Sequence, residues 1–257
     1  LYMAGGMSHI DTFDLKTGNE NQGLTRAINT RLDGLQVTSH LPNLAKQADK
    51  LCVVNSLTSP AGDHEKGNYF MHTSYEQRAT IRHPGLGAWS QKMNGKLNPT
   101  MPGSVFIGKE SRFHGSGGFF EPEFEPLAIS EPKSGLKHSR SFVRDDRLAR
   151  RLDLANDLDA EFLERYHTKP IRAYGEMYDD AVRLMESPDL AAFNINKEDD
   201  KTRARYGEDR FGQGCLLARR LVEQGVRYVQ LYDWGWDHHG SSGGDDIMNS
   251  LPDKCMQ

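Results

Sequence analysis

A membrane-spanning helix needs about 20 consecutive apolar residues, and no stretch of this sequence approaches that length. Nor is there a surplus of positive charge. The 32 Lys and Arg stand against 36 Asp and Glu, a formal net charge of −4, so no global basic field argues for a nucleic-acid partner. Cysteine is scarce, with Cys52, Cys215 and Cys255 the only three. They make no C-x-x-C pair, which leaves zinc-knuckle chemistry without support, and the C-x-P-x-R run of formylglycine-type sulfatases is missing too. Cys52 lies in an apolar run and Cys215 on the apolar face of a helix, so buried free thiols are expected. No internal repeat is evident.

What is present is a globular composition. Hydrophobic residues make up 37% and charged residues 26% of 257 positions, which is somewhat polar but not disordered. The length suits one large domain, and residues 1–257 are read as a single one. Leu1-Tyr2-Met3-Ala4 has the look of the tail of a buried strand, and residues 251–257 close no element. Further sequence is therefore expected on both sides, and the lack of a signal peptide carries no information.

The apolar spacing alternates between helix and strand. Leu41, Leu44, Ala45 and Ala48 predict a short helix over residues 41–49, followed by an apolar run of strand length at 51–57. Asp63 is placed to cap a helix over 64–75, and Pro84 to open one that reaches 93. Residues 99–140 are rich in Gly, Pro and aromatics and read as irregular, with one strand near 105–107. Such long loops serve as lids and binding loops, or equally as surface excursions without a role. Leu148, Leu152, Ala155, Phe162 and Tyr166 stripe a helix over 145–166; Tyr174, Tyr178, Ala181 and Met185 stripe another over 171–186, stopped by Ser187-Pro188. This pair reads as a helical insertion or cap on the sheet at about 141–208. A third helix over 210–224 turns Phe211, Cys215, Ala218 and Val222 inward, Gly225 ends it, and 226–232 is a strand. Helix, glycine, strand and polar loop form half of a βαβ unit, so the fold class is α/β.

Ligands of open α/β sheets sit beyond the carboxyl ends of the strands, and three such ends carry unusual polar residues. After the first strand, Gly5-Gly6 is followed by His9 and Asp11, two positions apart, so in extended backbone both side chains point one way and can share a divalent metal. His64 opens a helix, where free N–H groups suit an anion and disfavour a protonated imidazole, leaving it able to bind a metal. Asp237 and His239 flank His238 in a D-x-H spacing, between tryptophans and glycines; carboxylate and imidazole are zinc-type donors. His238 would point the other way. Three loops converging in one pocket is how two-metal hydrolases build their centres. The plain alternatives are an ordinary turn at residues 5–11 and a surface histidine beside a capping Asp63.

Residues 3–14, 211–223 and 235–240 resemble domain of unknown function 1501, a family of bacterial proteins usually exported behind a twin-arginine signal. The resemblance covers nearly the whole chain. It implies kinship with the alkaline phosphatase and sulfatase superfamily: a three-layer αβα sandwich, here incomplete, with a divalent metal centre (zinc, manganese or calcium) at the strand ends and a periplasmic or secreted location. Family members continue with a Gly-Glu-Phe-Gly-Arg-Thr-Pro-like motif and a later His-containing motif, which are not in this sequence. True alkaline phosphatases carry a Gly-Asp-Gly-Met-like motif where this chain has Ala4-Gly5-Gly6-Met7, leaving His9 or Asp11 to replace the missing Asp. His64, ahead of Thr73-Ser74, stands where the nucleophilic Ser would be, and an imidazole serves either as covalent nucleophile or as ligand. The expected function is metal-dependent hydrolysis of a phosphate or sulfate ester, of a small molecule or saccharide, with His9, Asp11, His64, Asp237 and His239 as ligands and His64 as catalytic residue. The rival is a non-catalytic exported binding or scaffold protein on a degenerate phosphatase fold.

Overall fold

A computed structural model describes residues 1–109, 115–139, 145–165, 169–240 and 246–256. In chain order its strands are β1 (Tyr2–Ala4), β2 (Ala27–Asn29), β3 (Gln36–Thr38), β4 (Ser104–Ile107), β5 (Leu127–Ile129) and β6 (Tyr228–Trp234). Its α-helices are α1 (Pro42–Ala45), α2 (His64–Thr73), α3 (Leu86–Asn94), α4 (Asp145–Arg165), α5 (Lys169–Glu186), α6 (Asp200–Tyr206), α7 (Arg210–Glu223) and α8 (Ser250–Met256). The chain divides into two compact units, Leu1–Gly67 with Asp233–Gln257, and Asn68–Tyr232.

The larger unit, Asn68–Tyr232, is the α/β part. β4 pairs in parallel with both β5 and β6, with Val105 opposite Leu127 on one side and Val229 on the other. Parallel neighbours need a crossover, and α7 supplies it ahead of β6. The Asp209 carboxylate accepts from Gly212 N–H at 2.9 Å and starts α7. Leu216, Leu217 and Leu221 are then buried with Val105, Ile107, Ile129 and Phe193 in one core. A Cβ on Gly214 would meet Leu231 Cδ1 at 2.7 Å, so the missing side chain lets α7 lie close on β6. The same core takes in Leu184, Ala192 and Ile195, which belong to the end of α5 and the turns after it. Arg220 ties those turns to α7, donating from Nε to Ala192 O at 3.0 Å and pairing with Glu198.

Two details differ from the sequence expectation. The face of α7 is turned: Val222 is 57% exposed while Leu217 is fully buried, because the helix packs its glycine side against the sheet. In α5, Tyr178 and Ala181 are exposed and Leu184 is buried. Tyr166 lies outside the described residues, as do the side chains of Phe162 and Tyr174.

The smaller unit holds the β2–β3 hairpin, with Ile28 opposite Val37, and the loops around β1. The predicted helix over 41–49 is split into α1 and a 3-10 turn at Ala48–Lys50. Residues 51–57 form no strand, although Leu51 has extended backbone. β-forming residues need a partner ladder, and no described strand supplies one there. Their side chains line an open groove of about 560 Å³ with Met7, Phe13 and Leu44. Cys52 is consequently exposed, against expectation, while burial pushes the Cys255 thiol up to about 11. Among the described residues no helix is long and apolar enough to cross a membrane.

Candidate functional site

The smaller unit fixes Asp237 from three directions. β6 ends at Trp234, and Trp236 folds back into the interior, its backbone N–H donating to Ala4 O at 3.1 Å. The Trp236 indole Nε1–H donates to Asp233 at 2.8 Å, and Lys254 pairs with the same carboxylate at 3.0 Å while lying over the indole ring. The third constraint is Gly5, just beyond β1, at φ +123°. An added Cβ there would stand 2.4 Å from Asp237 N and 2.7 Å from Asp237 Cβ. Only a glycine allows this approach, and it holds the two strand-end loops together.

Two imidazoles meet the carboxylate so placed. His64 Nε2 is 3.1 Å from Asp237 Oδ2, and His239 Nε2 is 2.6 Å from Asp237 Oδ1. His64 is the first residue of α2, and Asp63 before it caps that helix, accepting from Lys66 N–H at 2.9 Å. That backbone donor, helped by the Lys66 side chain, holds the Asp63 carboxyl below its ordinary value. The cluster faces solvent, with side chains exposed by 62% for His64, 41% for Asp237 and 77% for His239.

His9 and Asp11 are not brought to this cluster. His9 is exposed and lines the groove beside residues 51–57. Asp11 is buried and engaged in its own loop, accepting from Ser8 Oγ and Thr25 Oγ1 at 2.5 Å each. The loop closes further on the His9 carbonyl, which accepts from Thr12, Phe13 and Asp14 N–H. A turn of this kind is not the extended backbone that would aim His9 and Asp11 the same way. His238 Nδ1 is buried and without a hydrogen-bond partner among the described residues. The residues that brace the site, Asp233, Trp236 and Lys254, left no signal beyond the tryptophan beside the D-x-H run.

Chemically, one carboxylate holding two imidazoles fixes both rings and can accept a proton from either. The donors also fit a divalent ion in kind, since each imidazole–carboxylate pair offers nitrogen and oxygen ligands open to solvent. Among the described residues, no group of three or more His, Cys, Asp or Glu side chains is placed to hold a metal ion. A family described as "Protein of unknown function (DUF1501)" matches residues 1–256. No curated protein and no solved structure matches the chain.

Proposed function

The chain belongs to the DUF1501 family, and on that premise we propose that it is an exported metal-dependent hydrolase of phosphate or sulfate esters, centred on Asp237. The observation that carries this reading is the meeting of two imidazoles on the two oxygens of Asp237: that of His239, two positions on, and that of His64, 173 positions away in the sequence. Asp237, His64 and His239 offer the oxygen and nitrogen donors that such an ion takes, although as placed they do not form a three-ligand site. A divalent ion bound there supplies Lewis-acid polarisation of an ester oxygen.

The remaining steps belong to the chain. Asp237 orients the His64 ring and sets its tautomer, the part a carboxylate plays beside an imidazole that acts as base or nucleophile. The first turn of α2 presents backbone N–H groups and partial positive charge, which favour an anionic ester. The exposure of the cluster leaves room for a small-molecule or saccharide ester. Kinship with the alkaline phosphatase superfamily, its αβα sandwich, and export to the periplasm or beyond are part of the proposal and rest on the family resemblance.

Elemental analysis of the dialysed protein, beside an Asp237→Ala, His239→Ala double variant, tests it. We expect bound zinc, manganese or calcium that the double variant loses, with turnover of aryl phosphate or aryl sulfate lost in parallel. Equal metal content in both proteins sinks the metal centre. Retained metal-dependent binding without any turnover would favour the non-catalytic reading.

A further inference from the structure

We infer that the larger unit binds a small amphipathic amine, its apolar body in a cavity beside α5 and its ammonium group against Glu123 and Glu176. The cavity holds about 380 Å³, within the usual size of small-molecule sites, about 300–1,000 Å³. Met177, Ala181 and Leu184 of α5 line it, with Met185, Met101 and Leu127. Methionine is unbranched and polarisable, so three of them adapt to varied apolar shapes. Met177 and Ala181 are exposed, so this wall of the cavity is open to a ligand arriving from solvent. Lys96, Glu123 and Asp180 line both this cavity and an adjoining polar cleft, which makes the two continuous.

The charges of the cleft identify the head group. Two basic side chains, Lys96 and Arg183, line it with four acidic ones, Glu123, Glu176, Asp179 and Asp180. Both bases are spent on Asp180, Arg183 at 2.6 Å. Lys92, the next nearest, pairs with Glu121 at 3.3 Å. Glu123 and Glu176 therefore face each other with no ion-pair partner among the described residues. Glu123 lies on the 3-10 turn Pro122–Phe124, which packs against α5. Burial, then the hydrogen bond and charge of Glu176, hold the Glu123 carboxyl above its ordinary value, with Glu121 adding to this and Lys92 opposing it. A hydrogen bond between two carboxyls needs a proton that carboxylates lack near neutral pH. An ammonium group supplies both the donors and the charge.

A third acceptor stands at the same place. Gln91 of α3 is 6% exposed and lines the cleft. Its Nε2 donates to Glu123 O at 2.9 Å, and its Oε1 is buried without a hydrogen-bond partner among the described residues. Gly103, in the cavity wall, lies so close that an added Cβ would stand 2.3 Å from Oε1. The carboxamide is thus held where cavity and cleft meet, between Gly103 and Glu123, with an acceptor to spare. A buried acceptor without a donor is costly, and an ammonium has three donors to share between it and the two carboxylates. A bare metal ion would leave the adjoining apolar cavity unfilled, whereas an amine with an apolar body occupies both.

Calorimetric titration of the 257-residue chain with octylamine tests this. Octanoate and octanol keep the apolar body and change the head, and methylamine keeps the head alone. Octylamine should bind with a Kd of about 0.1–1 mM, and the other three about tenfold or more weakly. Glu123→Gln and Glu176→Gln should each weaken octylamine by about threefold to tenfold. Ala181→Trp, at an exposed position of α5, should fill the cavity and abolish binding. Absence of saturable octylamine binding overturns the inference, as does octanoate or methylamine binding equally well. Full affinity in Glu123→Gln or in Ala181→Trp overturns it too. The comparison of the four probes uses the unaltered chain, so the head and body of the ligand are tested whether or not a variant folds.

Discussion

At the scale of single residues, the candidate site depends on a side chain that is missing. Gly5 lies so close to Asp237 that a methyl group would overlap its backbone nitrogen, and its positive φ already disfavours any other residue. Gly5→Ala should therefore push Asp237 away from His64 and cost about 1–3 kcal/mol of stability. Gly6 provides the control, because it also has positive φ (+89°) but open space around it. Gly6→Ala should show only the smaller conformational cost, of order 1 kcal/mol. Thermal unfolding and metal content of both variants check this, and equal metal loss in the two would mean that the close contact with Asp237 is unimportant. The sequence pointed to a Gly-Gly turn here, but not to the residue it faces, since that contact joins positions 5 and 237.

At the scale of elements, Asp189 shows how loops of the larger unit are held. Its carboxylate accepts from the Thr100 hydroxyl, from Asn98 Nδ2 at 2.9 Å and from Gln224 Nε2 at 2.6 Å, joining the turn after α5 to the approach to β4 and the end of α7. The Thr100 hydroxyl and then the Asn98 amide, with Gln224 and Ser187, lower its pKa from the ordinary value. A carboxylate with a lowered folded-state pKa binds its proton more readily when unfolded. Its contribution is thus present above the ordinary value and lost as pH falls through the lowered one. Stability should therefore drop below about pH 4, and Asp189→Asn should flatten that part of the pH dependence while lowering stability at neutral pH. Urea midpoints measured from acid to neutral pH give the answer; an unchanged acid slope in the variant would assign the dependence to other carboxylates. Elements such as α2, α3, α7 and β6 were legible because caps, prolines and apolar spacing are local. The strand predicted at 51–57 was not a strand, since an apolar run states a preference and not a partner.

At the scale of the whole molecule, the larger unit rests on a core built around α7 and the parallel strands. Leu217 is fully buried there, so Leu217→Ala should cost about 2–5 kcal/mol, seen as a lower urea midpoint with unchanged slope; a loss under about 1 kcal/mol would mean that the core closes over the gap. The sequence by itself determined the α/β class, the positions of most helices and β6, and the family, because periodicity, capping residues and motif spacing are properties of neighbouring positions. It also singled out His64, Asp237 and His239. Only the tertiary structure decided that these three meet while His9 and Asp11 stand apart, and that α7 turns its glycine side to the sheet. Convergence of loops distant in sequence depends on how close two backbones can come, and that distance is set by packing, not by the residues on either side.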